Sequence, residues 1–303
     1  MMNTVKEKRQ KLFELLGDLP ETSDEVAVKK VKEIDKGAFI LEVLLLDLNG
    51  MNLVPAYFSR PKDHDGRLPV VLFNHSHGGN YHIGKTELLV SSEYLQKPSY
   101  AEELTSRGYG VLCIDMWGFG ERRGKSESEI FKEMLWKGQV MWGMMIFDNL
   151  RAIDYLQTRE DVDVTRIATL GMSMGGLMAW WLSALDERIK VCVDICGQVD
   201  AETLVNNRGL DHHGFYSYVP SLLKHFRTSD IQELIAPRPH LSVVGTDDRL
   251  TPFAGLTIID EALKEKYKQE EYQDNWKMIQ YHCGHIETAG MREEICTFLQ
   301  KKL

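Results

Sequence analysis

The order of segments along the 303 residues predicts an α/β chain. Its sheet is expected to be mostly parallel, covered by helices on both faces, with an antiparallel hairpin at the N-terminal end. Three observations carry this. After one hairpin, strand-like and helix-like stretches alternate to the C-terminus. The strand-like stretches are short, continuous apolar runs, as strands buried on both faces require. One of them runs through a Gly-x-Ser-x-Gly turn straight into a helix.

The elements follow in order. "FILEVLLLDLNGMNLVPAYFSRP" reads as two strands joined at Asn49-Gly50, a favoured two-residue hairpin turn. "PVVLFNH" is a buried strand. "SYAEELTSRGYG" is a helix stopped by Gly108, and "VLCID" is the next strand. A long helix is expected from about Glu129 to Gln157. "RIATLG" and "IKVCVDIC" are strands around the helix "MGGLMAWWLSAL". "RPHLSVVG" and "WKMIQYH" are the last strands, separated by the helix "FAGLTIIDEALKEKY", and "MREEICTFLQKKL" is the closing helix. No repeat, low-complexity segment or linker interrupts the series, so one domain over 1–303 is expected. Residues 1–25 read as an N-terminal helical extension, with Leu12, Phe13, Leu15 and Leu16 as an apolar stripe. The least regular segment, about 199–228, reads as a cap-like insertion over the strand ends.

Composition narrows the function. A formal net charge of −9 and the lack of a dense Lys/Arg cluster argue against nucleic acid. No apolar run is long enough to cross a bilayer. The first 21 residues have neither a continuous apolar core nor a small-residue cleavage site, so no signal peptide is expected. Five cysteines without a C-x-x-C spell neither a zinc site nor a disulfide framework, and a cytoplasmic location is expected. A homo-oligomer is compatible with all of this.

Two motifs compete. "GNYHIGKT", Gly79 to Thr86, fits the phosphate-loop pattern G-x-x-x-x-G-K-[ST]. By chance that pattern arises in roughly one or two chains per hundred of this length, against about one in ten for G-x-S-x-G. Rarity favours a nucleotide; context does not. "HSHG" intervenes between the strand and Gly79, and Asn80, Tyr81, His82 and Ile83 are bulky for a tight anion nest. "RIATLGMSMGG" needs no such allowance. A nucleophile elbow places its Ser on a strained strand-to-helix turn, with small residues two before and two after it. Gly171, Ser173 and Gly175 stand there. The Met174 N–H then opens the helix, facing a developing oxyanion.

A Ser hydroxyl needs a base, and that base needs an orienting acid. "HLSVVGTDDRLTP" follows a strand and offers Asp247 and Asp248; "MIQYHCGHIETAGM" follows the last strand and offers His282 and His285. Asp248 and His285 are the choices. The loop "FNHSHGGN" is placed to give the second oxyanion N–H. Asp115, Glu121, Arg122, Arg123 and Asp148 read as structural charges. Trp117, Trp142, His212, His213, Tyr216 and Tyr218 are candidates for substrate contact. His75 and His77 lack an identifiable third ligand, so neither a metal nor a cofactor is expected.

These motifs resemble the α/β-hydrolase superfamily from about residue 39 onward. Within it, "DMWGFGERRG", "DVDVTRIATLGMSMGG", "APRPHLSVVGTDDRLTP" and "GHIETAGMREEICTFL" resemble the branch of dienelactone hydrolases, acetyl xylan esterases and prolyl-oligopeptidase-like enzymes. The resemblance implies the α/β-hydrolase fold, a Ser-His-Asp triad of Ser173, His285 and Asp248, and no metal or cofactor. For the second oxyanion N–H it implies His77, with Gly78 as the alternative. It implies cleavage of small carboxylic esters, of short acyl chain given the polar-tipped aromatics of the insertion. Two departures stand out. Ser76 replaces the first Gly of the usual His-Gly-x-Gly loop, and Ser173 stands where dienelactone hydrolase proper has Cys. A peptidase, amidase or lactone hydrolase is the nearest alternative. A non-catalytic ligand-binding protein and a nucleotide binder are alternatives of another class.

Overall fold

A computed structural model describes residues 4–21 and 25–303. Helix α1 (Val5–Leu15) lies within the expected extension over 1–25, of which 1–3 and 22–24 lie outside the described residues. Thr4 caps it, and buried Leu12 and Leu16 join the main core. Strands β1 (Ala27–Asp35), β2 (Ile40–Asp47) and β3 (Leu53–Arg60) pair antiparallel, with Asp47 opposite Leu53 across the Asn49-Gly50 turn. β1 adds an edge strand that the sequence reading passed over. Almost all of it is exposed, so it carries no apolar alternation to detect. Its lysines and a register shift between Lys30 and Lys32 suit an edge that must not recruit another strand.

The chain continues through β4 (Leu68–Asn74), short helix α2 (Glu87–Val90), α3 (Tyr100–Thr105) and β5 (Gly110–Ile114). The expected single long helix is two, α4 (Glu127–Trp136) and α5 (Met141–Thr158). Gly138, at φ +76°, breaks it where the turn meets Gly17. Then come β6 (Val162–Met172), α6 (Met174–Leu185), β7 (Ile189–Ile195), α7 (Ala201–Asn206) and α8 (Thr228–Gln232). The last elements are β8 (His240–Gly245), α9 (Phe253–Gln269), β9 (Trp276–Tyr281) and α10 (Ala289–Lys302).

Sheet order is β1-β2-β3-β5-β4-β6-β7-β8-β9, antiparallel up to the β3–β5 pair and parallel from β5 to β9. The two faces carry separate cores. One packs α1, α4, α5 and α6; the other packs α3 and α10. Because β4 to β9 run the same way, the loops after β4, β6, β7, β8 and β9 all leave at one edge, where ligands of such sheets bind. The expected helices therefore cover both faces, and the hairpin belongs to the antiparallel end. No helix of the described residues is long and apolar enough to cross a membrane.

Candidate active site

The elbow is built by close main-chain contact. Ser173 sits at φ 55°, ψ −119°, strained for a residue with a side chain. Its own N–H is held by the Ile195 carbonyl at 2.8 Å. A Cβ on Gly175 would lie 1.9 Å from the Asn74 carbonyl oxygen, and one on Gly171 would lie 2.4 Å from Gly175. Only glycine lets the turn approach β4 this closely. Met174, the first residue of α6, keeps a backbone N–H that no carbonyl of its own helix can take.

His285, in the loop after β9, places Nδ1 2.6 Å from Asp248 Oδ2. The Asp248 side chain is fully buried. Its other oxygen accepts the Leu250 N–H at 2.8 Å. Burial pushes the Asp248 carboxyl upward, but the hydrogen bond and charge of His285, helped by Leu250, outweigh it and hold the carboxyl below its ordinary value. His285 Nε2 is buried and has no partner among the described residues. Ser173 and His285 line one cavity of about 270 Å³, with no direct hydrogen bond between them. The competing pair, Asp247 with His282 at 3.0 Å, lies out in solvent, with side chains 56% and 89% exposed. Cys196 lies beside the buried pair, one sulfur, nitrogen and oxygen falling within 4.8 Å of one another. Burial, then the Asp248 charge, pushes its thiol well up, so it is a neutral neighbour and not a rival nucleophile.

The loop after β4 is braced from three sides. His75 is fully buried; its Nε2 accepts the Met116 N–H at 3.1 Å, which leaves Nδ1 to donate to the Ser76 carbonyl at 3.0 Å. The Glu87 carboxylate accepts the Ser76 N–H at 2.6 Å and the Tyr94 hydroxyl at 2.6 Å. His77 Nδ1 accepts the Gly79 N–H at 2.9 Å, so its proton sits on Nε2, 2.9 Å from the Tyr216 hydroxyl. Burial, then the neighbouring His75 and His285, lowers His77 to about 4. The His77 ring also packs on Tyr81, Phe119 and Tyr216. Its backbone N–H has no partner among the described residues.

The phosphate-loop pattern resolves into this bracing. Lys85 is 1% exposed. Its ammonium lies 2.9 Å from Asp115 Oδ2 and pairs with Glu121, while its N–H donates to Asp115 Oδ1 at 2.7 Å. Both the ammonium and the N–H of Lys85 are thus taken by carboxylates. Arg122 pairs with buried Asp148 at 2.7 Å, and Asp148 also accepts from Asn49. These contacts match the structural reading of the charges Asp115, Glu121, Arg122 and Asp148.

Of the expected substrate contacts, His212, His213 and Tyr216 line the Ser173 cavity. Three others do not. Trp142 is fully buried behind Tyr216, ring centroids 6.0 Å apart. Trp117 lies under the Arg122 guanidinium at 4.2 Å, in a separate cleft with Met51 and Met134. Tyr218 ties its hydroxyl to the Leu210 carbonyl at 2.7 Å and faces a neighbouring chamber. Sequence reasoning also missed Glu87 and Glu287. Glu287 is fully buried; it takes the Arg292 guanidinium at 2.7 and 2.8 Å and the Gln96 N–H at 2.8 Å, fixing the loop that carries His285. Arg292 stands five residues on, but Gln96 lies 191 residues away in the chain, so the local pattern does not show which loop Glu287 ties down.

The Dienelactone hydrolase family matches residues 54–273. The curated Bacillus subtilis (strain 168) protein named "Putative hydrolase YtaP" is 57% identical over 297 residues, covering 98% of this chain and 99% of its own. Among solved structures, a glucuronoyl esterase from Solibacter usitatus superposes with a TM-score of 0.69 at 15% identity, covering 97% of this chain and 91% of that one. An acetyl xylan esterase from Paenibacillus sp. R4 superposes at 0.65 and 17% identity, covering 98% and 93%. At such identities these two speak for the fold, the one expected from the sequence motifs.

Proposed function

The chain belongs to the dienelactone hydrolase family, and from that premise we propose that it hydrolyses small carboxylic esters through Ser173, His285 and Asp248. The observation that carries the reading is the 2.6 Å bond from His285 to fully buried Asp248, opening on the cavity that Ser173 enters from a strained turn.

The chemistry follows from the atoms present. Asp248 holds the proton on His285 Nδ1, which leaves Nε2 with its lone pair free. Nε2 takes the hydroxyl proton as Ser173 Oγ bonds to the ester carbonyl carbon, and the carbonyl π pair moves onto its oxygen. The missing Ser173–His285 bond is no objection, because catalytic hydrogen bonds often close only around substrate. The Met174 and His77 N–H groups receive the oxyanion, each worth about 3 kcal/mol. When the tetrahedral intermediate collapses, the C–O bond to the alcohol breaks, and His285 hands its proton to that oxygen. Water, deprotonated by the same nitrogen, bonds to the acyl carbon; the C–Oγ bond then breaks, His285 returns the proton to Ser173 Oγ, and the acid leaves.

The fit also favours a short acyl group, acetyl above all. The cavity at Ser173 is about 270 Å³ and is walled by His77, His212, His213 and Tyr216, which leaves little room for a long chain. The test is a fluorophosphonate probe followed by mass spectrometry. The adduct is expected on Ser173 and is expected to vanish in Ser173→Ala together with hydrolysis of p-nitrophenyl acetate. An adduct elsewhere, or an active Ser173→Ala enzyme, defeats the proposal.

A further inference from the structure

A second, larger chamber opens beside the reaction cavity. It measures about 510 Å³, against about 270 Å³ for the cavity at Ser173. The two share Leu177, Val199, His213 and Ser217 as lining residues, so they lie side by side. The chamber is apolar. Trp180 and Trp181 of α6 form its floor, and Leu204 and Val205 of α7 form one side. Where the two meet, His213 Nε2 is buried without a partner among the described residues. A volume of this size is typical of a site for a drug-sized molecule, far more than an acetyl group needs.

Strand order decides which part of an ester enters it. Across the edge the order is β4, β6, β7, β8, β9. The oxyanion loop follows β4 and Ser173 follows β6, while Asp248 and His285 follow β8 and β9. The chamber is walled by α6 and by the segment after β7, a strand that lies between β6 and β8 in the sheet. No residue of the oxyanion loop lines it. With the carbonyl oxygen held toward His77 and Met174, the leaving oxygen must face His285 to receive its proton. The group attached to that oxygen therefore extends away from the oxyanion loop, toward the chamber.

Resting on the ester-hydrolase reading above, we propose that this chamber is the leaving-group subsite, and that the substrate class is short-acyl esters of bulky apolar alcohols. Burying apolar surface only as the ester binds raises kcat/KM by about fourfold per methylene until the chamber fills.

The experiment measures kcat/KM by pH-stat for acetates of methanol, butanol, hexanol and cyclohexylmethanol. These alcohols have nearly equal acidity, so the trend reads binding. A matched series keeps methanol and lengthens the acyl group. The acetate series is expected to rise by at least about a hundredfold from methyl to hexyl, while the methyl-ester series stays flat or falls. Val205→Asp, at a half-exposed position on the chamber wall, is expected to cut the hexyl-to-methyl ratio about tenfold. A flat acetate series overturns the subsite. A rise with acyl length that Val205→Asp abolishes also overturns it, because the chamber then receives the acyl chain. Absence of hydrolysis throughout, with no probe adduct on Ser173, instead overturns the underlying reading.

Discussion

Replacing Asp248 by Asn tests the site at its most constrained hydrogen bond. The two carboxylate oxygens have different partners: Oδ1 accepts the Leu250 N–H at 2.8 Å and Oδ2 meets His285 Nδ1 at 2.6 Å. An amide has one acceptor and one donor end. A buried N–H left facing an NH₂ group costs more than a rotation of the amide, so the Leu250 N–H claims the carbonyl oxygen. The NH₂ group then points at His285 and can only donate. Nδ1 must accept, the imidazole proton moves to Nε2, and the base has no lone pair for Ser173. Triads that lose activity through this tautomer lose about 10⁴ in kcat, or about 5 kcal/mol of transition-state stabilisation. Volume and packing hardly change, so the melting temperature of Asp248→Asn is expected to fall by only a few degrees. The assay is kcat for p-nitrophenyl acetate beside a thermal melt, with Asp247→Asn as control. The Asp247–His282 pair is exposed, and the control is expected to stay within about twofold of the parent. If Asp248→Asn keeps a tenth of the activity, or if Asp247→Asn falls as far, the tautomer argument is wrong.

Three further outcomes follow. Lys85→Ala is expected to cost about 3–5 kcal/mol in urea unfolding, because it leaves fully buried Asp115 without its ammonium; calorimetry with magnesium-ATP is expected to show no binding to the parent protein. His77 is lowered to about 4 in the fold from an ordinary 6.5, so as pH drops through that window the unfolded chain takes a proton that the folded chain refuses. Stability is therefore complete above about 6.5 and declines by about 3 kcal/mol toward pH 4, and the gap between parent and His77→Gln in urea midpoints is expected to narrow over that range. Gly175→Ala sets a methyl 1.9 Å from the Asn74 carbonyl, and is expected to abolish hydrolysis and to lower the melting temperature steeply, as calorimetry would show.

Much of the site is legible in the sequence because catalysis by an elbow constrains local pattern. Gly171, Ser173 and Gly175 announce the turn by spacing alone, and Asp248 and His285 follow from being the right residue types on the right loops. What was not legible depends on partners distant in the chain or on which way a side chain faces. Trp117 and Trp142 are aromatic and lie near the right strands, yet one is roofed by Arg122 and the other is sealed behind Tyr216. Glu87 looks like an ordinary helix-start acid until Ser76 and Tyr94 converge on it. β1 was invisible because an exposed edge strand has no buried face to mark it, and the break between α4 and α5 rests on a single glycine whose turn is held against Gly17.

The contact between Gly175 and Asn74 divides the molecule for anyone redesigning it. The Ser173 turn and the end of β4 meet there backbone to backbone, so their spacing is written in main chain and offers a mutagenesis library nothing to vary. The stretch between β7 and β8 lines both cavities, with His213, Tyr216 and Leu204 among its residues. On the proposed reading, randomising that stretch is expected to exchange substrates while the chemistry stays in register, and randomising the elbow is expected to yield dead enzyme. Two libraries of equal size, one in each region, should differ sharply in the fraction of members that still react with a fluorophosphonate.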